Sequence, residues 1–300
     1  MQDFIQHLIN GLSQGSIYAL IALGYTMVYG ILQMINFAHA DVYMIGAFTA
    51  YYAAKWFGLE HSPGLGTLAI LMLTSMMVCS LLGLAIERLA YRPLRKAPKL
   101  NVLITAIGVS LLLEALGQVI FGPDPKSFPL IMEDFVIANV GGINLNSSDF
   151  TVLGVSLVAM LALNFIIQKT KLGRAMRAVS ANAPVASILG VNTNRIISLT
   201  FVIGSSLAAV GGVLVSVKYP KIEPLMGIMI GLKAFVAAVL GGIGSIPGAV
   251  LGALIMGLSE EMVVAYLSST YRDALAFGLL IAILIFKPAG LLGKYTVEKV

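Results

Sequence analysis

Apolar residues run along this chain in blocks, most of them near the ~20 positions that a helix needs to cross a bilayer. The blocks fall at 11–32, 42–57, 67–86, 101–121, 151–168, 196–217, 228–240, 249–267 and 273–286, with polar breaks between them. The run 42–57 is short and predicts a tilted or half-length helix. The run 228–240 is too short for an ordinary crossing, carries Lys233, and breaks at GGIGSIPG. Eight or nine spans follow, according to whether 228–240 crosses or re-enters. The pattern predicts an all-α integral membrane protein, a polytopic bundle with short or re-entrant segments. No segment between the runs is long enough to fold as a soluble domain, so residues 1–300 read as one transmembrane domain. The small-xxx-small series Gly204, Ala208, Gly212 and the pair Gly248, Gly252 let helices approach closely. No pair of inverted repeats is evident by eye.

Composition agrees, with 58% hydrophobic and 11% charged residues. Charge then fixes orientation. The loop 87–99 holds Arg88, Arg92, Arg95, Lys96 and Lys99, and 169–195 holds Lys169, Lys171, Arg174, Arg177 and Arg195 with no acidic residue. These loops lie two spans apart, hence on one side, which the positive-inside rule makes cytoplasmic. The segment 122–149, with Asp124, Glu133, Asp134 and Asp149 against Lys126 alone, is then external. The net charge of +5 reflects this placement and does not point to nucleic acid. If all nine runs cross, the basic tail is cytoplasmic and the N-terminus external. Cys79 has no partner for an intrachain disulfide, and the start MQDFIQHLINGL, with Asp3 and no Lys or Arg, does not predict a cleaved secretory signal.

The stretch 169–195 is the most informative. Met176, Val179, Val185, Ile188 and Leu189 recur at helical spacing, with Ala183 and Ala186 on or near the same stripe. Pro184 opens a helix at its first turn and Gly190 closes it. A short amphipathic helix on a basic loop suits an anionic lipid surface or a groove on a soluble partner.

Enzyme chemistry finds little support. There is no GxxxxGK[ST], and GPDPKS at 122–127 has the wrong spacing on the wrong side, so no P-loop is expected. His7, His39 and His61 are scattered without metal-ligand spacing, so no metal, catalytic group or cofactor is expected in this chain. GGIGSIPG between apolar runs reads as a turn. Ionisable residues inside the runs cost several kcal/mol unless paired or facing water. Asp41, Glu114, Lys233, Glu260 and Glu261 are those residues. Glu260 and Glu261 point ~100° apart on a helix, so only one shares a face with any partner, and Lys233 suits one of them by charge and depth.

The run GSIYALIALGYTMVYGILQMINFAHADVYMIGAF, the loop GRAMRAVSANAPVASILGVNTNR, the segment KAFVAAVLGGIGSIPGA and the ending FKPAGLLG resemble the branched-chain amino-acid ABC-transporter permeases of the LivH type, in order along essentially the whole chain. The resemblance implies one of two different membrane subunits in a bacterial inner-membrane importer for leucine, isoleucine and valine. It implies a LivM-like permease beside this chain, LivG- and LivF-like ATPases that use ATP in the cytoplasm, and a periplasmic binding protein. Such loops carry an "EAA" motif with a glycine four residues after its last alanine. Here Pro184-Val185-Ala186 and Gly190 stand there, without the acidic residue. Arg174, Met176, Arg177, Val179, Pro184, Ala186, Leu189 and Gly190 become the expected ATPase-coupling residues. The broken segment 35–41 would present backbone groups and a half-helix terminus to a zwitterion, which makes Asn36, His39 and Asp41 expected path residues, and Lys233, a charge inside an apolar run, joins them. The rivals are a permease of the same type for urea, amides or a sugar, and an ion-coupled secondary transporter.

Overall fold

The computed structural model describes residues 2–95, 97–140 and 143–293. Lys96 of the first basic loop and residues 294–300 of the basic tail lie outside the described residues. In chain order the helices are α1 (Gln2–Leu32), α2 (His39–Trp56), α3 (Leu65–Ile86), α4 (Arg92–Leu94), α5 (Lys99–Phe121), α6 (Ser147–Lys169), α7 (Lys171–Ala181), α8 (Ala183–Ile188), α9 (Thr193–Lys218), α10 (Met226–Gly241), α11 (Ile246–Tyr266) and α12 (Arg272–Phe286). A π-helical turn at Glu87–Tyr91 joins α3 to α4. Outside the bundle, β2 (Val136–Val140) and β3 (Ile143–Asn146) form a hairpin, and β1 (Lys126–Ser127) pairs antiparallel with β4 (Lys221–Ile222).

Seven helices are long and apolar enough to span a bilayer by themselves. The chain is thus a multi-pass, all-α membrane protein. The expected short runs became α2 and α10, which bring the apolar helices among the described residues to nine. Hydrogen bonds assign the ends of α1. Gln6 Oε1 accepts from the backbone N–H of Asn144 in the β2–β3 hairpin, and the carbonyl of Gly30 accepts from Ser180 in the basic loop. At 1.5 Å per residue α1 is about 46 Å long, enough to reach from one polar layer to the other. It ends where Gln33 takes a left-handed conformation (φ 52°) and donates its N–H to the Tyr29 carbonyl at 2.7 Å. A non-glycine residue there costs about 1–2 kcal/mol. The chain then turns back into the bundle, and α2 begins deep inside it.

Residues 219–225 make the equivalent approach from the outer side. Lys218, at the end of α9, bonds Asp149 at 2.7 Å and Ser13 at 2.8 Å, on the same side as the β2–β3 hairpin. The chain then enters the bundle and starts α10 against the start of α2, where a Cβ on Gly227 would lie 2.5 Å from the Ala40 carbonyl oxygen. α10 leaves on the inner side, beside Gly30. So 228–240 forms a helix that completes a crossing begun by an extended segment.

An inverted repeat follows. Long helix, break, half-helix and two further helices occur first as α1, α2, α3 and α5, and again with opposite direction as α9, α10, α11 and α12. α1 packs along α11 as α9 packs along α3, and α2 lies on α9 as α10 lies on α1. α6, α7 and α8 are inserted between the halves. α1 and α9 form the centre and are buried nearly all round, whereas α5, α6 and α12 expose most of their apolar surface. The small residues sit where backbones meet: a Cβ on Gly212 would fall 2.4 Å from the Tyr43 carbonyl, and one on Gly252 2.1 Å from that of Ala237.

Candidate functional site

Asn36, His39 and Asp41 lie at the first break, all nearly inaccessible (3%, 1% and 1% exposed). They do not converge. Asn36 Oδ1 accepts from the Tyr91 hydroxyl at 3.0 Å, which ties the break to the π-helical turn. The His39 ring fills the space left by Gly24, where a Cβ would stand 2.1 Å from Nε2. It meets Tyr25 edge-on with centroids 4.8 Å apart, and its Nε2 has no hydrogen-bond partner among the described residues. Asp41 Oδ2 accepts from Ser110 on α5 at 2.6 Å. The three side chains therefore clamp the broken segment to three different neighbours. The chain just outside a helix leaves backbone polar groups without intrahelical partners, and the Tyr91 hydroxyl also donates to one of them, the Ile35 carbonyl, at 3.4 Å.

Lys233 lies elsewhere, on the outward part of α10. Its ammonium pairs with Glu260 of α11 and with Asp273 of α12 at 2.7 Å. Tyr18 of α1 donates to the second Glu260 oxygen at 2.6 Å, and Arg272 Nε stands 3.6 Å from the first. Of the adjacent glutamates, Glu260 turns inward, while Glu261 bonds His7 at 3.0 Å at the external end of α1. Tyr18, Arg272 and Asp273 carry no sequence signal that links them to Lys233. Only the packing of four helices brings them together.

The basic stretch 169–195 forms two helices. Thr170 caps α7 by accepting from the Gly173 N–H at 3.1 Å, and Arg177 donates to the Ile167 carbonyl. Asn182 caps α8 by accepting from the Val185 N–H at 3.0 Å. Pro184 stands in its first turn. Gly190 (φ 85°) follows its end, and the Val191 N–H returns to the Ala186 carbonyl at 3.0 Å.

The burial pattern corrects the expected docking face. Met176, Val179 and Ala186 are 2–3% exposed and pack into this chain, so they hold α7 and α8 to the bundle and cannot also fill a groove on another protein. The break at Asn182 rotates α8 relative to α7 and divides the single stripe. The outward apolar residues are Val185, Ile188 and Leu189, the last two 85% and 77% exposed. Arg174, Pro184 and Gly190 are also on the surface. The neighbouring basic loop is tied in by Arg95, which pairs with the buried Glu87 and donates to Asn194 at 2.6 Å.

Residues 7–284 match the family described as branched-chain amino acid transport system / permease component. The high-affinity branched-chain amino acid transport system permease protein BraD of Pseudomonas aeruginosa is 45% identical, over 99% of this chain and 98% of its own. LivH of Escherichia coli K12, a permease protein of the same description, is 44% identical over the same shares. LivM of that organism, another permease protein so described, is 28% identical over 92% of this chain and 68% of its own length. With buried half-helices crossing at its centre and basic loops on one face, this chain belongs to the branched-chain amino acid permease family.

Proposed function

We propose that this chain is the LivH-type permease subunit of a bacterial inner-membrane importer for leucine, isoleucine and valine. It is a transport subunit and not an enzyme. A second, LivM-like permease completes the membrane part, a periplasmic binding protein delivers the amino acid, and two cytoplasmic ATPases of the LivG and LivF type supply the energy. This chain needs no cofactor, because ATP is used by those partners. Surrounding lipid covers the outward faces of the bundle.

The observation that carries the reading is the outward patch on α8. A pair of helices anchored to its own bundle through Met176 and Val179 of α7 and Ala186 of α8, yet presenting Val185, Ile188 and Leu189 outward, hands an apolar surface to a soluble partner in the helix-in-groove manner. A pull-down of the detergent-solubilised chain with its ATPases tests it. Burying one such side chain contributes roughly 1.5–3 kcal/mol, so Ile188→Asp with Leu189→Asp should weaken retention by at least about a hundredfold. Gly190→Arg should also release the ATPases: its left-handed backbone (φ 85°) makes the substitution cost about 1–2 kcal/mol, but a Cβ there meets nothing within 4 Å, so the strain stays local and the chain stays folded. Equal retention by all forms refutes the patch. A chain that retains no ATPase, yet carries leucine alone under an ion gradient, is a secondary transporter instead.

Asn36→Ala tests the broken segment. It removes the nearer acceptor of the buried Tyr91 hydroxyl and leaves the Ile35 carbonyl at 3.4 Å, a loss of about 1 kcal/mol. Uptake should fall while assembly persists. Normal uptake by an assembled mutant removes Asn36 from the path.

A further inference from the structure

On the cytoplasmic side, between the break that follows α1 and the start of α5, the structure holds a cavity of about 300 Å³. Tyr29, Gln33, Met34 and Ile35 line one wall, and Lys99 and Leu103 of α5 line the other. The expected path residues Asn36, His39, Asp41 and Lys233 do not line it. The cavity is apolar on most of its surface and polar at three points. Lys99 pairs with no carboxylate among the described residues, and neither the Gln33 amide nor the Tyr29 hydroxyl bonds to another described residue. Gln33 is also the single non-glycine residue among those described with a left-handed backbone. Its conformation is imposed by the turn that starts the broken segment, and such strained positions cluster where ligands are held or segments switch.

We propose that this cavity is a cytoplasmic release site that holds one free branched-chain amino acid, and that its occupancy slows the importer. The assignment rests on the permease reading above. Lys99, at the first turn of α5 where the free N–H groups also favour negative charge, receives the carboxylate. The Gln33 side-chain carbonyl and the Tyr29 hydroxyl accept from the ammonium group, and Met34, Ile35 and Leu103 surround the aliphatic side chain. The volume suits a single small zwitterion at the low end of ligand cavities. The site adjoins the segment that links α1 to the half-helix α2. An amino acid lodged there holds that segment against α5 and opposes its movement. Cytoplasmic leucine, isoleucine or valine therefore acts as a signal that the pool is full.

The experiment uses the complete importer, permease pair with both ATPases, in liposomes with external binding protein and with ATP and amino acid set on the ATPase side. Initial leucine uptake is compared with and without millimolar leucine on that side, each variant serving as its own reference. ATP-driven uptake into leucine-free vesicles establishes the permease reading first, and its absence would count against that reading alone. Given uptake, wild type should slow several-fold with internal leucine, isoleucine or valine, and not with internal glutamate. Lys99→Gln should need about tenfold more internal leucine for the same slowing. Leu103→Trp, which fills the cavity without changing charge, should be insensitive. A wild type indifferent to internal leucine overturns the proposal. So do Lys99→Gln vesicles that slow as wild type does, or a Lys99→Gln effect that follows the anionic lipid content rather than internal amino acid.

Discussion

Lys233→Met is expected to destabilise the chain by about 3–5 kcal/mol, the usual cost of leaving a buried charge without its partner. Glu260 is 1% exposed, and after the substitution it retains only the Tyr18 hydroxyl and a guanidinium at 3.6 Å. Glu260→Gln should cost less, because Lys233 keeps Asp273 at 2.7 Å and Asp273 is about half exposed. The double replacement Lys233→Met with Glu260→Leu should recover most of the loss, since well-packed apolar residues commonly replace a buried pair without penalty. The thermal midpoint in detergent reads all three. A Lys233→Met protein that melts with wild type would show that the pair contributes nothing. The double mutant also separates two roles. If it is stable and transports, Lys233 fastens α10 to α11 and α12. If it is stable and inactive, the charge itself belongs to the path.

That network shows where sequence reading ends. Charge and depth are enough to suggest that Lys233 pairs with one of Glu260 and Glu261, because an intramembrane charge has few acceptable neighbours, but not to say which. In the sequence Asp273 only begins the last apolar run and Tyr18 lies inside the first. Their contact depends on how α1, α11 and α12 cross, which no local pattern encodes. The spans themselves were legible because hydrocarbon length imposes a period on composition. The basic loops gave the orientation. The inverted repeat was not legible, since α1 and α9 preserve a shape rather than a sequence; little beyond Ala47-Phe48 and Ala234-Phe235, in equivalent places in the two half-helices, echoes between them. On the docking stretch, helical spacing alone placed Met176, Val179 and Leu189 on one face. Asn182, an N-cap residue inside the stripe, was the signal that a second helix begins there with a different facing.

Gly227→Val is expected to prevent the two half-helices from meeting, and with them the native bundle. A Cβ at Gly227 would lie 2.5 Å from the Ala40 carbonyl oxygen and 3.0 Å from its carbon, both backbone atoms. A side chain can rotate away from an intruding methyl group, but two backbones can separate only if a helix moves. The neighbouring contact allows no such movement, because Gly231 packs its own face on the Ala40 Cβ and the Tyr25 hydroxyl. The cost should therefore exceed the ~1–3 kcal/mol of ordinary core overpacking. The observable is loss of the monodisperse species in size exclusion, or a large fall in melting temperature, with Gly227→Ala intermediate. Gly108→Ala and Gly154→Ala supply the contrast. Both lie within helices where a Cβ meets nothing within 4 Å, so each should be neutral or stabilise by up to about 1 kcal/mol through helix propensity. If Gly227→Val melts with these controls, α2 and α10 do not touch as described. If it alone collapses, the close approach of the two half-helices at the centre is what the fold depends on.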